Sequence, residues 1–323
     1  MAQLTTADLT HYNGSYDSPR DIGDVFIGED TARLIIEASR SGDDIALQSL
    51  LSQPQFINIM LEETHAIYRE TRPRRDSNDV RSVMVQRMSN IQRALTLAAH
   101  KGQAGIVSTL LAFATRQGIP ASRLIHKLFI YRFIISGVNN KFAVGKQAAV
   151  FKVLASANPN IINMDINHGA RTLYEAVKKR QTDLVAVLLE LGADPFHPVE
   201  PSKQIGSYNS SLMSFAAMAE SPRITEMLLD HNMPVATTAA LHTAARFGHL
   251  DTMRLLMQHG ANLDEVITGW HKWTPMHFAA SRGKIDAMKL LERSGARSDL
   301  EDADRKTPAQ LLEEFNTAEQ TPT

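Results

Sequence analysis

The sequence predicts an all-α chain of stacked helix–turn–helix units. Three observations point there. The chain aligns with itself: Ala240-Leu241-His242-Thr243-Ala244-Ala245-Arg246-Phe247-Gly248-His249 matches Pro275-Met276-His277-Phe278-Ala279-Ala280-Ser281-Arg282-Gly283-Lys284 at an offset of 35 residues. The match continues downstream, with Leu255-Leu256 answering to Leu290-Leu291 and Gly260-Ala261 to Gly295-Ala296. A period of that length marks units that bury their apolar faces only by stacking on neighbours. Finally, 323 residues exceed what one core usually organises, since single cores stop growing near roughly 250–300 residues.

Taken in chain order, Ala38-Ser39-Arg40-Ser41-Gly42 with Leu50-Leu51 reads as a weak first copy, and Ala98-Ala99-His100-Lys101-Gly102 with Leu110-Leu111 as a second. Residues 122–157 hold two helix-length apolar segments and no consensus residues, a degenerate copy by position alone. Ala176-Val177-Lys178-Lys179, then Leu188-Leu189 and Gly192-Ala193-Asp194, form a clear copy. Met213–Leu229 is divergent, with Glu220-Ser221-Pro222 where a glycine turn belongs. Thr274-Pro275 recurs as Thr307-Pro308, opening a truncated last unit.

The pattern Thr-Pro-Met-His-x-Ala-Ala-x-x-Gly, then Leu-Leu, then Gly-Ala, resembles the ankyrin repeat family. The resemblance spans 31–316, most closely over 170–312, and implies a solenoid of roughly seven or eight units whose successive pairs are joined by finger loops. Residues 1–30 carry no copy and are expected to form a capping or flexible segment, 55–90 an irregular insertion, and 317–323 a flexible tail.

The repeat residues have physical roles. Thr274 and Thr307 are placed to cap helices, and the prolines after them occupy the first helical position, where a backbone donor has no partner anyway. Alanine pairs let helices approach closely. Gly42, Gly102, Gly248 and Gly283 supply the left-handed residue that ends the helix. Met253, Leu255, Leu256 and Met257 give the second helix a face that only stacking can cover. The resemblance implies that His242 and His277 hydrogen-bond locally between adjacent turns.

Several functions are excluded or disfavoured. Lys plus Arg number 34 against 35 for Asp plus Glu, so a net charge of -1 exerts no whole-molecule pull on nucleic acid or anionic membrane. With no cysteine there is no thiolate nucleophile, disulfide or Cys-based zinc site, and the cytosol or nucleus fits best. Residues 1–16 lack the cationic start and apolar core of a signal peptide. Leu124–Val138, interrupted by His126, Lys127 and Arg132, is too short and charged to span a bilayer. Gly145-Lys146-Gln147 is no phosphate loop, because Gln147 stands where a magnesium-binding hydroxyl belongs. No catalytic, metal or cofactor residue is assigned.

Binding remains. In this family partners are held by fingers and by inner helices lining a concave face. The two positions after each Ala-Ala equivalent are Arg40 and Ser41, His100 and Lys101, Lys178 and Lys179, Arg246 and Phe247, and Ser281 and Arg282; Met218 and Ala219 break the series. Two readings stay open: a row of cations suited to an acidic partner segment, or a merely solvated face. Trp270, His271 and Trp273 lie in a lengthened finger, with Trp270 the expected anchor and Trp273 a structural wedge. Pro195–Asn209, with Phe196, His197 and Tyr208, is a second finger candidate. The Arg69–Arg93 stretch carries seven arginines against Glu70, Asp76 and Asp79. Its tightest part, Arg72-Pro73-Arg74-Arg75, reads as a targeting address, an acidic-partner contact or a solvated loop, and Ser77 resembles a basophilic-kinase substrate.

These readings predict a non-catalytic interaction module, an intracellular adaptor or regulatory protein with a transcription-coregulator role as one version, and no direct nucleic-acid contact. The alternative is an enzyme whose pocket is built where residues 55–93 and 122–157 depart from the pattern, a region holding His65, Tyr68, His126, Tyr131 and Arg132.

Overall fold

The computed structural model of the chain describes residues 30–61, 63–69, 83–127, 129–131, 133–134, 145–167, 170–196, 211–267 and 271–320. Residues 1–29 of the expected capping segment 1–30, the basic run Arg72, Arg74 and Arg75 with Ser77, Arg132, His197, Tyr208 and Trp270 lie outside them. The chain divides into two compact units, Met1–Pro159 and Asn160–Thr323.

In the first unit, α1 (Asp30–Ser41), α2 (Asp44–Leu51) and α3 (Pro54–Leu61) lead into an antiparallel hairpin, β1 (Glu63–Arg69) and β2 (Val83–Ser89), followed by α4 (Asn90–His100), α5 (Ala104–Arg116), α6 (Ala121–Leu124) and α7 (Lys146–Ala157). Each helix start has a local cause. The Asp43 carboxylate accepts from Ala46 N at 2.9 Å to open α2, and Ser89 with Gln92 forms a reciprocal capping box on α4. Helix α4 packs on α1, and α5 packs on both α2 and α7, so Ile35, Leu47, Ile91, Leu95, Val107 and Leu110 make one apolar spine.

The hairpin is a departure from the purely helical reading. Its register runs from Glu63 opposite Ser89 to Arg69 opposite Val83. Thr64, Ile67, Tyr68, Val83 and Val85 are β-branched or aromatic, and that propensity prevails where no repeat consensus imposes a helix. The expected insertion is therefore a third helix followed by this strand pair. Arg93 also departs from its expected place in a solvated basic segment: it lies on α4 and is 6% exposed. Around the degenerate copy at 122–157, the Gln147 amide donates to Phe133 O at 2.7 Å and the Asn158 amide to Ile125 O at 3.2 Å. Gln147 is a buried strut, which explains a glutamine beside Gly145 and Lys146 without any phosphate.

The second unit opens with β3 (Asp165–Asn167) and β4 (Ala170–Arg171). The helix pairs are α8 (Thr172–Lys178) with α9 (Thr182–Glu190), α10 (Leu212–Ala217) with α11 (Arg223–Asp230), α12 (Ala240–Phe247) with α13 (Leu250–Gln258), and α14 (Pro275–Ala280) with α15 (Ile285–Arg293). A last helix, α16 (Pro308–Gln320), continues beyond the expected limit of 316, because Thr317, Ala318, Glu319 and Gln320 contain no helix breaker. The first helices stack in order, α8 on α10, α10 on α12, α12 on α14 and α14 on α16, while α9 meets α11 and α13 meets α15. Ala216, Ala217, Ala244, Ala245, Ala279 and Ala280 are fully buried at these contacts.

The turn signals act as the sequence predicts. Thr274 caps α14 in a capping box whose third residue is His277, and Thr307 pairs with Gln310 at the start of α16. Gly42, Gly102, Gly248 and Gly283 all have φ between +60° and +83°. Gly283 carries a second constraint, since a Cβ there would collide with the Phe315 ring. Thr274→Ala is expected to lower unfolding free energy by about 1 kcal/mol in a urea titration, the usual worth of a side-chain N-cap.

Candidate functional site

The sequence-selected residues of the second unit sit at the ends of its first helices. Lys178 and Lys179 close α8, Arg246 and Phe247 close α12, and Ser281 and Arg282 follow α14. Lys178, Phe247 and Arg282 are exposed, whereas Lys179, Arg246 and Ser281 are half-buried. Directly beneath them the alanine pairs are buried, so these side chains are held on a rigid scaffold and extend away from it. Lys178 is partly engaged: its Nζ is 3.7 Å from Glu175 Oε1 and 6.0 Å from the Tyr174 ring centroid. Met218 is half-buried and Ala219 buried, which leaves a gap in the row at α10. In the first unit Arg40 is exposed and Lys101 half-buried, and the Gln103 amide donates to Arg40 O at 3.0 Å.

The fingers are tied to one another by backbone and carboxylate contacts. Thr237 N donates to Glu265 Oε1 at 3.0 Å, Arg297 N to Asp264 Oδ1 at 2.9 Å, and Ala303 N to His271 O at 2.8 Å. Trp273 is the structural wedge that the sequence predicts: its indole N–H donates to Asp302 Oδ2 at 2.9 Å, and its ring meets Phe278 edge-on at 5.2 Å. Burial raises the Asp302 carboxyl, but donation from Lys306 N, the Trp273 indole and Asp304 N outweighs it and holds the group below its ordinary range. His271 is exposed, with Nδ1 3.2 Å from Asp304 Oδ2. His271 and Lys272 have φ of 48° and 55°, left-handed backbone that disfavours side chains with a Cβ. Lys272→Gly is accordingly expected to raise the urea midpoint, by about 1 kcal/mol of stability.

The two histidines of the repeat motif are structural. His242 Nε2 is 2.7 Å from Glu265 O. His277 Nδ1 is 2.8 Å from Thr274 Oγ1, and its Nε2 is 3.2 Å from Lys306 O. Burial pushes His242 down to about 4, against a smaller upward effect of the Glu265 carbonyl. Burial also lowers His277, opposed by the Lys306 carbonyl and Asp302. Among the described residues, no group of three His, Asp or Glu side chains is placed to hold a metal ion.

Sequence reasoning missed Tyr174 and Phe215, whose rings meet edge-on at 5.4 Å between α8 and α10. Burial and then Glu175 raise the Tyr174 phenol to about 12. Tyr174 occupies the place of the motif histidine, and aligning that position across copies is the signal that finds it. Phe196, from the other candidate finger, is 56% exposed. Of the alternative pocket region, His126 and Tyr131 are half-buried, while Arg132 and the side chains of His65 and Tyr68 lie outside the described residues.

Comparison with known proteins follows the same lines. The profile described as ankyrin repeats (3 copies) matches residues 213–304. Cyclin-dependent kinase 4 inhibitor B of Rattus norvegicus is 35% identical over 98 residues, which cover 28% of this chain and 69% of that protein. The chain belongs to the ankyrin repeat family. Cyclin-dependent kinase inhibitor 2A of Monodelphis domestica is 36% identical over 98 residues, covering 28% of this chain and 53% of the relative, so the match spans about half of that protein's length. Among solved structures, the human ASB11 ankyrin repeat domain aligns with a TM-score of 0.50 and 22% identity over 71% of this chain and 98% of that one. It shares the ankyrin fold. No described helix is long and apolar enough to cross a membrane.

Proposed function

We propose that this ankyrin repeat chain is a non-catalytic adaptor or regulatory protein of the cytosol or nucleus that holds another protein through its inner-helix face and fingers. The carrying observation is the division of labour along α8, α12 and α14: alanines and aliphatics are buried for stacking, while Lys178, Phe247 and Arg282 stand exposed at the helix ends. Exposed aromatic and cationic side chains on a rigid support are the type that dominates interface energetics. Their positive sign favours an acidic partner segment. The matched relatives are named as kinase inhibitors, which supports a regulatory role, and a transcription-coregulator version rests on the arginine-rich stretch alone.

The test is partner capture from a native lysate by the full chain, with bound proteins identified by mass spectrometry. Lys178→Glu with Lys179→Glu, and separately Trp270→Ala, are expected to lower recovery of a specific partner several-fold. Undiminished recovery with both variants would remove this surface from the proposal.

A further inference from the structure

Helices α8, α10, α12 and α14 of the second unit each end in a tight turn that leads into a second helix, so these turns form one edge. At the α12–α13 turn, Phe247 is 42% exposed, and its ring stacks on His249 at 5.7 Å with 10° between planes. The Lys284 side chain lies across Gly248, where an added Cβ would meet its Cδ at 3.1 Å. Ile285, the next residue, is 48% exposed. Two large apolar side chains are thus left in water beside a lysine stem.

The charges around this patch are mostly of one sign. Arg180 replaces the turn glycine at the end of α8, with φ of 58°, and Arg282 precedes Gly283. Arg180, Arg282 and Lys284 form no ion pair among the described residues, whereas Lys289 pairs with Asp286 at 3.9 Å and Arg254 with Asp251 at 2.6 Å. Burial lowers the half-buried His249; its bond to the Met218 carbonyl and the charge of Glu220 oppose that shift, and Arg180 and Lys284 add to it. Both cations therefore act on the same ring that supports Phe247. Glu220 is the counter-charge within the cluster and offsets part of its field.

Cations that form no ion pair among the described residues, set around exposed apolar side chains and only partly offset by Glu220, match a ligand with carboxylates on either side of an apolar group. We propose that the turn edge formed by Arg180, Phe247, His249, Lys284 and Ile285 is a docking site for an acidic peptide segment bearing a large apolar side chain. This deepens the protein-binding reading and rests on it: the edge shares Phe247 with the inner-helix row and adds Arg180, His249, Lys284 and Ile285, away from the fingers.

A labelled peptide of alternating glutamate and serine around one central tryptophan provides the probe, titrated by fluorescence anisotropy against the full chain at low and high salt. Arg180→Glu with Lys284→Glu, and separately Phe247→Ala, are expected to weaken binding about tenfold. Arg254→Glu with Lys289→Glu carries the same change in net charge away from the edge and is expected to change affinity less than about twofold. Equal weakening by both charge-reversed pairs, undiminished binding of a glutamine-substituted peptide, or no saturable binding would overturn the edge. Tighter association with vesicles of equimolar phosphatidylcholine and phosphatidylserine than with the peptide would overturn it in favour of a lipid surface. If Lys178→Glu with Lys179→Glu weakens the peptide while the edge variants do not, the docking edge falls and the wider binding role stands. Urea midpoints of each variant confirm that the fold is kept, and Lys284→Gln provides a milder replacement.

Discussion

Phe278→Ala is expected to lower unfolding free energy by about 3–5 kcal/mol, the usual cost of removing a buried phenyl ring. Phe278 is 1% exposed. Its ring lies roughly perpendicular to those of Trp273 at 5.2 Å and His242 at 5.7 Å, so it joins α12, α14 and the finger between them. Closing the cavity would require moving the capping box at Thr274 and the indole bond to Asp302 together. Because each unit of a repeat protein is stabilised mainly by its neighbours, the loss is expected to uncouple α14–α16 first. Hydrogen exchange in 275–320 should rise before that in α8 and α9, and a urea titration by circular dichroism gives the total. Phe278→Leu should cost much less. A loss below about 1 kcal/mol for the alanine variant, the centre of ordinary point substitutions, would mean that this contact does not hold the terminal units.

The second large effect is acid sensitivity. His242 is fully buried in the neutral form and pushed down to about 4 from an ordinary value of 6.5. Between those values the unfolded chain binds a proton that the folded chain does not. Stability is therefore fully present above pH 6.5 and is lost as pH falls toward 4, by roughly 3 kcal/mol for this one side chain. His277 and His249, also lowered by burial, act in the same direction. Urea midpoints between pH 7.5 and 4 are expected to fall steadily in the native sequence, and His242→Gln should flatten that slope while costing stability at neutral pH. An unchanged slope in the glutamine variant would assign the acid sensitivity elsewhere.

The parts legible in the sequence share one property: their physical cause is local. Thr274, Pro275 and Gly283 specify a helix start and stop within ten residues, and their recurrence at Thr307 and Pro308 carries the repeat onward. Trp273 was readable as a wedge from its place before a Thr-Pro pair. Tyr174 was less legible, because it replaces the motif histidine in a copy where Arg180 also replaces the glycine. The Lys284 stem across Gly248 arises between turns that lie 36 residues apart in the chain, and the stacking of Phe247 on His249 depends on how one turn closes.

The hairpin β1–β2 and the burial of Arg93 mark the same limit in the first unit. Period and consensus say nothing about a segment that interrupts the repeat, and an arginine count does not tell which guanidinium faces water. By itself the sequence determined the ankyrin architecture, the order of units and the residues that cap and end most helices, because these depend on backbone preferences repeated at a fixed spacing. Only the tertiary structure decided which cations form no ion pair among the described residues and which apolar side chains there are exposed, since both depend on what the neighbouring repeat brings against them.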